Sequence, residues 1–111
     1  MRTIHKYHIF SDEATVMMPK GAEILKFGIQ GSMPNGNPNI CVWAMVNTEA
    51  ELKERRFRIF CTGDILPKNC MKYAGYGENP DCEYEFEYWD TLFDGCYVWH
   101  IFVGDPTGET T

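Results

Sequence analysis

Guanidinium groups and indole rings offer the clearest chemistry in this 111-residue chain. Together they suit recognition of a planar, phosphate-bearing ligand, because guanidinium forks match phosphate oxygens in pairs and aromatic faces stack on bases. Three arginines stand in the run Arg55-Arg56-Phe57-Arg58-Ile59-Phe60. In extended chain alternate residues share a face, so Arg56 and Arg58 project together while Arg55 joins Phe57 and Ile59. The expected ligand-binding set is therefore Arg56, Arg58, Trp43 and Trp99, with the two arginines toward the phosphate. The competing reading gives the arginines to acidic residues on a neighbouring strand and the tryptophans to the core.

A second set is acidic. Glu83, Glu85 and Glu87 alternate with Tyr84, Phe86 and Tyr88. A strand there puts the aromatics toward the core and lines up the carboxylates outside. Net charge is −6, but every basic residue lies at or before Lys72. Residues 1–72 hold ten bases against seven acids, a surplus of three, and residues 73–111 hold nine acids and no base. Such a field repels nucleic acid and attracts a basic protein, so Glu83, Glu85, Glu87 and Asp90 are the expected partner-binding residues. The same acids also serve to keep an aromatic strand soluble.

Catalytic and metal chemistry is poorly supplied. A glycosidase-type pair needs an acid and a base in different environments, whereas three glutamates on one face share one environment. His5 and His8, three apart on a strand, point to opposite faces, and no ligand spacing suggests a metal. His100 reads as a core histidine bonded to backbone. The cysteines are odd in number, five, without a Cys-x-x-Cys pair, and read as reduced, buried small hydrophobes. A Cys/His pair that meets only in space stays open. Gly75-Tyr76-Gly77 and Gly104-Asp105-Pro106-Thr107-Gly108 are turns, not phosphate loops. No catalytic residue, metal or cofactor is expected.

The elements that must position these residues follow a period of two. Strands are expected over residues 3–10, with Ile4, Tyr7 and Ile9 toward the core, and over 15–18, 23–30, 40–46, 55–60, 83–88 and 97–103, with a weaker one over 70–76. Gly28 weakens its strand or marks a bulge. Pro19-Lys20-Gly21 is turn chemistry, residues 31–38 form a loop between antiparallel neighbours, and Asp94-Gly95 is a hairpin signal. The runs 40–46 and 97–103 are apolar on both faces, as in central strands. Thr48-Glu49-Ala50-Glu51 has capping-box spacing for one helical turn, or forms a polar loop.

The expected fold is all-β: one antiparallel domain over residues 1–111, barrel-like or sandwich, of about seven strands with at most one helical turn and a frayed tail over 104–111. An aromatic strand left at an edge invites pairing, so a homo-oligomer is expected. No apolar run nears the roughly 18 residues of a membrane span, and the N-terminus has no secretory apolar core, which implies a soluble, cytoplasmic protein without a membrane partner.

Five ordered segments carry a resemblance: Ile4-His5-Lys6-Tyr7, Met18-Pro19-Lys20-Gly21-Ala22-Glu23-Ile24-Leu25, Val42-Trp43-Ala44-Met45-Val46, Arg55-Arg56-Phe57-Arg58-Ile59 before Thr62-Gly63, and Val98-Trp99-His100-Ile101-Phe102. Together they resemble a small family of bacteriophage-encoded, β-rich proteins of unknown function. Here Cys61 stands where that family usually has glycine, and the acidic segment 77–94 is longer and more negative. The phage origin that the resemblance implies favours host takeover or defence evasion over metabolism, in the cytoplasm of an infected bacterium, and with no catalytic signature in the chain the expected function is that of a non-enzymatic binding protein. Its expected partner is a nucleotide-like small molecule or, in the alternative, a basic host protein that handles nucleic acid. No direct binding of nucleic acid is expected.

Overall fold

Short runs rich in β-branched and aromatic residues bury one face each, and two sheets that do so against each other make a sandwich. The computed structural model describes residues 1–66, 71–72, 84–94 and 97–106, and among these it contains no helix. Seven long strands are β1 (Arg2–Ile9), β2 (Glu13–Pro19), β3 (Glu23–Ser32), β4 (Pro38–Asn47), β5 (Leu52–Cys61), β7 (Tyr84–Asp94) and β8 (Tyr97–Pro106), with a two-residue β6 (Met71–Lys72). One sheet has the order β1-β4-β3 and the other β2-β5-β8-β7-β6. All pairings are antiparallel except that of β6 with β7. No helix among the described residues is long and apolar enough to cross a membrane.

The core lies between the sheets. Ile9, Ile24, Phe27, Ile40, Val42, Ala44 and Val46 face Met18, Phe57, Ile59, Ile101 and Val103. Phe27 and Phe57 meet edge to face, centroids 5.8 Å apart, and seal the centre. The double-faced apolar runs are indeed the central strands, β4 and β8.

The chain passes between the sheets at three corners. Ile59 N–H donates to Asp12 O at 2.9 Å, tying the β1–β2 corner to β5. At the β2–β3 corner, Ala22 N–H donates to Pro19 O with Gly21 at φ 82°, the conformation of a type II turn. Beside it Lys20 N–H reaches Glu51 O of the β4–β5 corner at 2.7 Å. The capping-box spacing at Thr48 makes no helical turn. Ala50 N–H closes on Asn47 O, Glu49 N–H on Asn47 Oδ1, and Thr48 N–H on Met1 O, which uses up the donors in a tight corner.

Several expectations about faces are corrected. Ile4 is 56% exposed, because period two puts it opposite Tyr7 and Ile9. Gly28 is not the bulge: the register shifts fall between Ile24 and Lys26 and between Ile29 and Ser32. A Cβ at Gly28 would stand 3.0 Å from Cζ3 of Trp43, whose ring occupies that space. Residues 104–106 are not tail but the end of β8, and Gly104 is buried under the Phe86 ring. Of the weak strand expected over 70–76 only Met71–Lys72 lies within the described residues.

Candidate functional site

The aromatic face of β7 turns away from the inter-sheet core. Phe86 pairs with Gly104 and Tyr88 with Phe102, and these positions lie on the outer face of the five-stranded sheet. Phe86 and Phe102 form a second cluster there, with Phe60, Leu66 and Tyr84 packed around it. Gly104 makes this possible. It stands between Arg56 and Phe86 in the strand register and has no side chain, so groups from β5 and β7 meet across β8. The Arg56 guanidinium lies 4.1 Å from the centroid of Tyr84, and that of Arg58 lies 5.1 Å from Phe60 and 5.7 Å from Phe86.

Arg56 and Arg58 thus share a face as the period required, and Arg55 lies on the other, donating to Ala22 O at 3.0 Å. Among the described residues their acidic partners come from β2 and from β5 itself. Arg56 pairs with Glu54 at 3.6 Å and Arg58 with Glu13 at 3.4 Å. A cavity of about 350 Å³ beside Arg58 is also lined by Asp12, Glu13 and Asp64, so a phosphate entering it would meet three carboxylates for one guanidinium.

The tryptophans do not join the arginines. Trp99 is on the inner face of β8, opposite Leu92, and packs against the inter-sheet core. Trp43 is on the outer face of the three-stranded sheet, between Lys6 and Lys26. The four residues expected to bind one ligand therefore occupy three separate faces, because strand parity and sheet order, invisible in the linear chain, set them apart.

Of the expected acidic face, Glu83 and the Glu85 side chain lie outside the described residues. Glu87 is exposed, and a bulge between Tyr88 and Asp90 returns Asp90 to the Glu87 side, opposite Ile101. Asp90 Oδ1 accepts from Thr91 N–H at 2.7 Å.

His100 is not a core histidine bonded to backbone. It sits half-buried on the outer face, with Nε2 2.7 Å from Thr62 Oγ1 and Nδ1 2.9 Å from the Tyr88 hydroxyl, which also bonds Thr91 Oγ1. A hydroxyl–imidazole–phenol chain has the outline of a nucleophile relay. Burial, with Asp90 second, pushes the Tyr88 phenol up, so it stays neutral and supplies no charge to hold an imidazolium.

His8 does meet a cysteine. Cys41 Sγ lies 3.5 Å from His8 Nδ1, and Asn39 Oδ1 lies 3.2 Å from the same nitrogen. In a working Cys–His–Asn set the amide orients the ring through the opposite nitrogen. Here both compete for one, and Cys41 is fully buried. Burial, partly offset by Lys6, pushes its thiol up and withholds the thiolate. Cys41 and Cys61 are both free, and among the described residues no three His, Cys, Asp or Glu side chains converge as a metal site would need.

Burial raises Cys61, Tyr7 and Tyr88 in the same direction. Each of these groups releases its proton more readily when unfolded. Stability should therefore be complete below about pH 8.5, the ordinary thiol range, and fall as the pH rises through it. Melting temperatures from pH 6 to 11 should be flat and then decline, and Cys41→Ala should make the decline shallower. An alkaline limb identical in that variant would remove Cys41 as a cause.

At the open end of the sandwich, between the β1–β2 corner and the β3–β4 loop, lies a cavity of about 420 Å³. Its apolar wall is Ile9, Phe10, Pro38, Ile40, Ile59 and Trp99, and Ser11, Asp12 and Asn37 supply its polar groups. Trp99 is backed by Tyr97, the rings stacked at 6.1 Å, and its indole N–H is buried with no acceptor among the described residues. Few polar groups on a mostly apolar, preformed wall is the usual make-up of a small-molecule site. Only Trp99 of the expected ligand set belongs to it. Phe10, 71% exposed at a strand end, gave no signal in the sequence beyond its type.

No curated protein and no solved structure matches the chain. A family profile described as a domain of unknown function, DUF7352, matches residues 1–111. The chain belongs to that family over its whole length.

Proposed function

We propose that this protein is a non-enzymatic binding module that holds a small planar molecule in the cavity at the open end of the sandwich. The observation that carries the reading is the apolar wall of that cavity, in which Trp99, backed by Tyr97, is joined by Phe10 and Pro38. A nucleobase-sized ring fits the apolar wall, and Asp12, Ser11 and Asn37 give it donors and acceptors to meet. Because Asp12 lies at the rim, the favoured ligand is nucleoside-like, neutral or cationic, in preference to a phosphorylated form. The resemblance to phage-encoded proteins supports sequestration of a host metabolite or signal as its use. The alternative, docking of an acidic face on a basic host protein, rests among the described residues on Glu87 and Asp90 alone, and Asp90 is already engaged.

Thermal-shift measurement against a panel of nucleosides and their 5′-phosphates tests the reading. At a ligand concentration about 100 times Kd, a binder raises stability by about 2.7 kcal/mol, a shift of roughly 10–16 °C in a domain of this size. Nucleosides should give the larger shifts, and Trp99→Leu should abolish them while the protein remains folded by circular dichroism. An unchanged melting temperature across the whole panel would defeat the proposal.

A further inference from the structure

The outer face of the three-stranded sheet carries cations of a different kind from Arg56 and Arg58. Period two places Arg2, Ile4, Lys6 and His8 of β1 on it, beside Cys41, Trp43 and Met45 of β4 and Glu23, Lys26, Gly28 and Gln30 of β3. Arg2, Lys6 and Lys26 are exposed, and none has a carboxylate at ion-pair distance among the described residues. The Met1 ammonium at the sheet's end is taken by Glu49. Among the described residues these three cations thus share the face with one carboxylate, Glu23, on a protein whose net charge is −6. Lys6 and Lys26 are the direct cross-strand partners of Trp43, one on each side. Lys6 is held extended across the sheet by Gln30 Oε1 at 2.8 Å, and the half-buried Trp43 ring lies over Gly28. At the end of the strand His8 stacks on Phe10, centroids 5.6 Å apart at 24°.

We infer that this face binds single-stranded nucleic acid. A sheet surface with a central indole flanked by lysines joins the two terms such binding uses: stacking on an unpaired base and neutralisation of the adjoining phosphates. A duplex hides its base faces, so the Trp43 term is available only to a single strand. Overall negative charge does not oppose this, because screening limits each charge to about 8–10 Å at working ionic strength. The potential a strand meets on this face is set by the local cations, whereas Arg56 and Arg58, on the other sheet, already have carboxylates. The inference is independent of the cavity and does not need it to be occupied.

The test is fluorescence anisotropy of a labelled mixed-sequence single-stranded oligonucleotide and of the matching duplex, titrated with the full chain over a salt series. With three phosphate contacts, log K against log salt should have a slope of about −2 for the single strand, and Lys6→Gln with Lys26→Gln should reduce it to about −0.7. That double variant should weaken binding about 25-fold at 0.1 M salt. Trp43→Ala should weaken it roughly 5- to 150-fold while Trp43→Phe, which keeps a π face, retains most of it. Arg56→Gln should leave binding unchanged. Both lysines are exposed, so the double variant should keep the parent melting temperature. No binding up to about 100 μM, the weak end of non-specific association, would overturn the inference. So would equal affinity for the duplex, affinity unaffected by the lysine changes, or sedimentation showing the face occupied by a second copy of the chain.

Discussion

Phe57→Ala is expected to lower the melting temperature by roughly 12–30 °C, the equivalent of about 3–5 kcal/mol for a buried phenylalanine truncated in a domain of this size. Phe57 is fully buried on β5, the strand that bridges β2 and β8, and its ring seals against Phe27 of the opposite sheet at 5.8 Å. Neighbours on both sheets are held by backbone ladders, so they cannot collapse into the space the ring leaves. A domain of this length is stable by only about 5–15 kcal/mol, so the variant loses a large share of it. Phe57→Leu, which keeps most of the volume, should cost less than half as much. Thermal or urea unfolding followed by circular dichroism decides it. A fall of under about 5 °C for the alanine variant would mean that the sheets do not close over this ring.

Gly104→Ala should destabilise by about 1–3 kcal/mol, although alanine in a strand is ordinarily favoured over glycine by a few tenths or more. The sign reverses because the new Cβ would stand 2.6 Å from Cε1 of Phe86. The ring cannot simply swing clear. Phe86 is packed with Phe102, Phe60 and Leu66, and the Arg58 guanidinium lies 5.7 Å from it. A double-mutant cycle separates this cause from any general intolerance of β8. In a Phe86→Ala background, Gly104→Ala should be neutral or stabilising. An equal cost in both backgrounds would show that the ring is not what excludes the methyl group.

These two positions also mark where linear pattern stopped being informative. For Phe57 the alternation with Arg56 and Arg58 indicated a strand face shared with Arg55 and Ile59, and the structure makes that face the core. Gly104 read as the start of a tail, because nothing local reveals that an aromatic from a neighbouring strand needs its missing side chain. The alternation of Tyr84, Phe86 and Tyr88 correctly indicated a strand with one aromatic face. Which way that face points depends on the position of β7 in the sheet, and there the aromatics cluster on the outside, with Phe102, Phe60 and Arg58. Asp90 lies with Glu87 only because an extra residue, Trp89, enters the ladder and resets the parity.

Local sequence alone determined the all-β class, the major strands and most of the turns between them, and the sharing of one face by Arg56 and Arg58. Those properties depend on residues a few positions apart, where the two-residue period and turn chemistry act directly. The tertiary structure alone decided that Trp43, Trp99 and the two arginines stand on three different faces, that Glu54 and Glu13 hold the arginines, and that Lys6, Trp43 and Lys26 form one row. Those are matters of sheet order and register, set by which distant strands bury their apolar faces together, and no spacing along the chain encodes them.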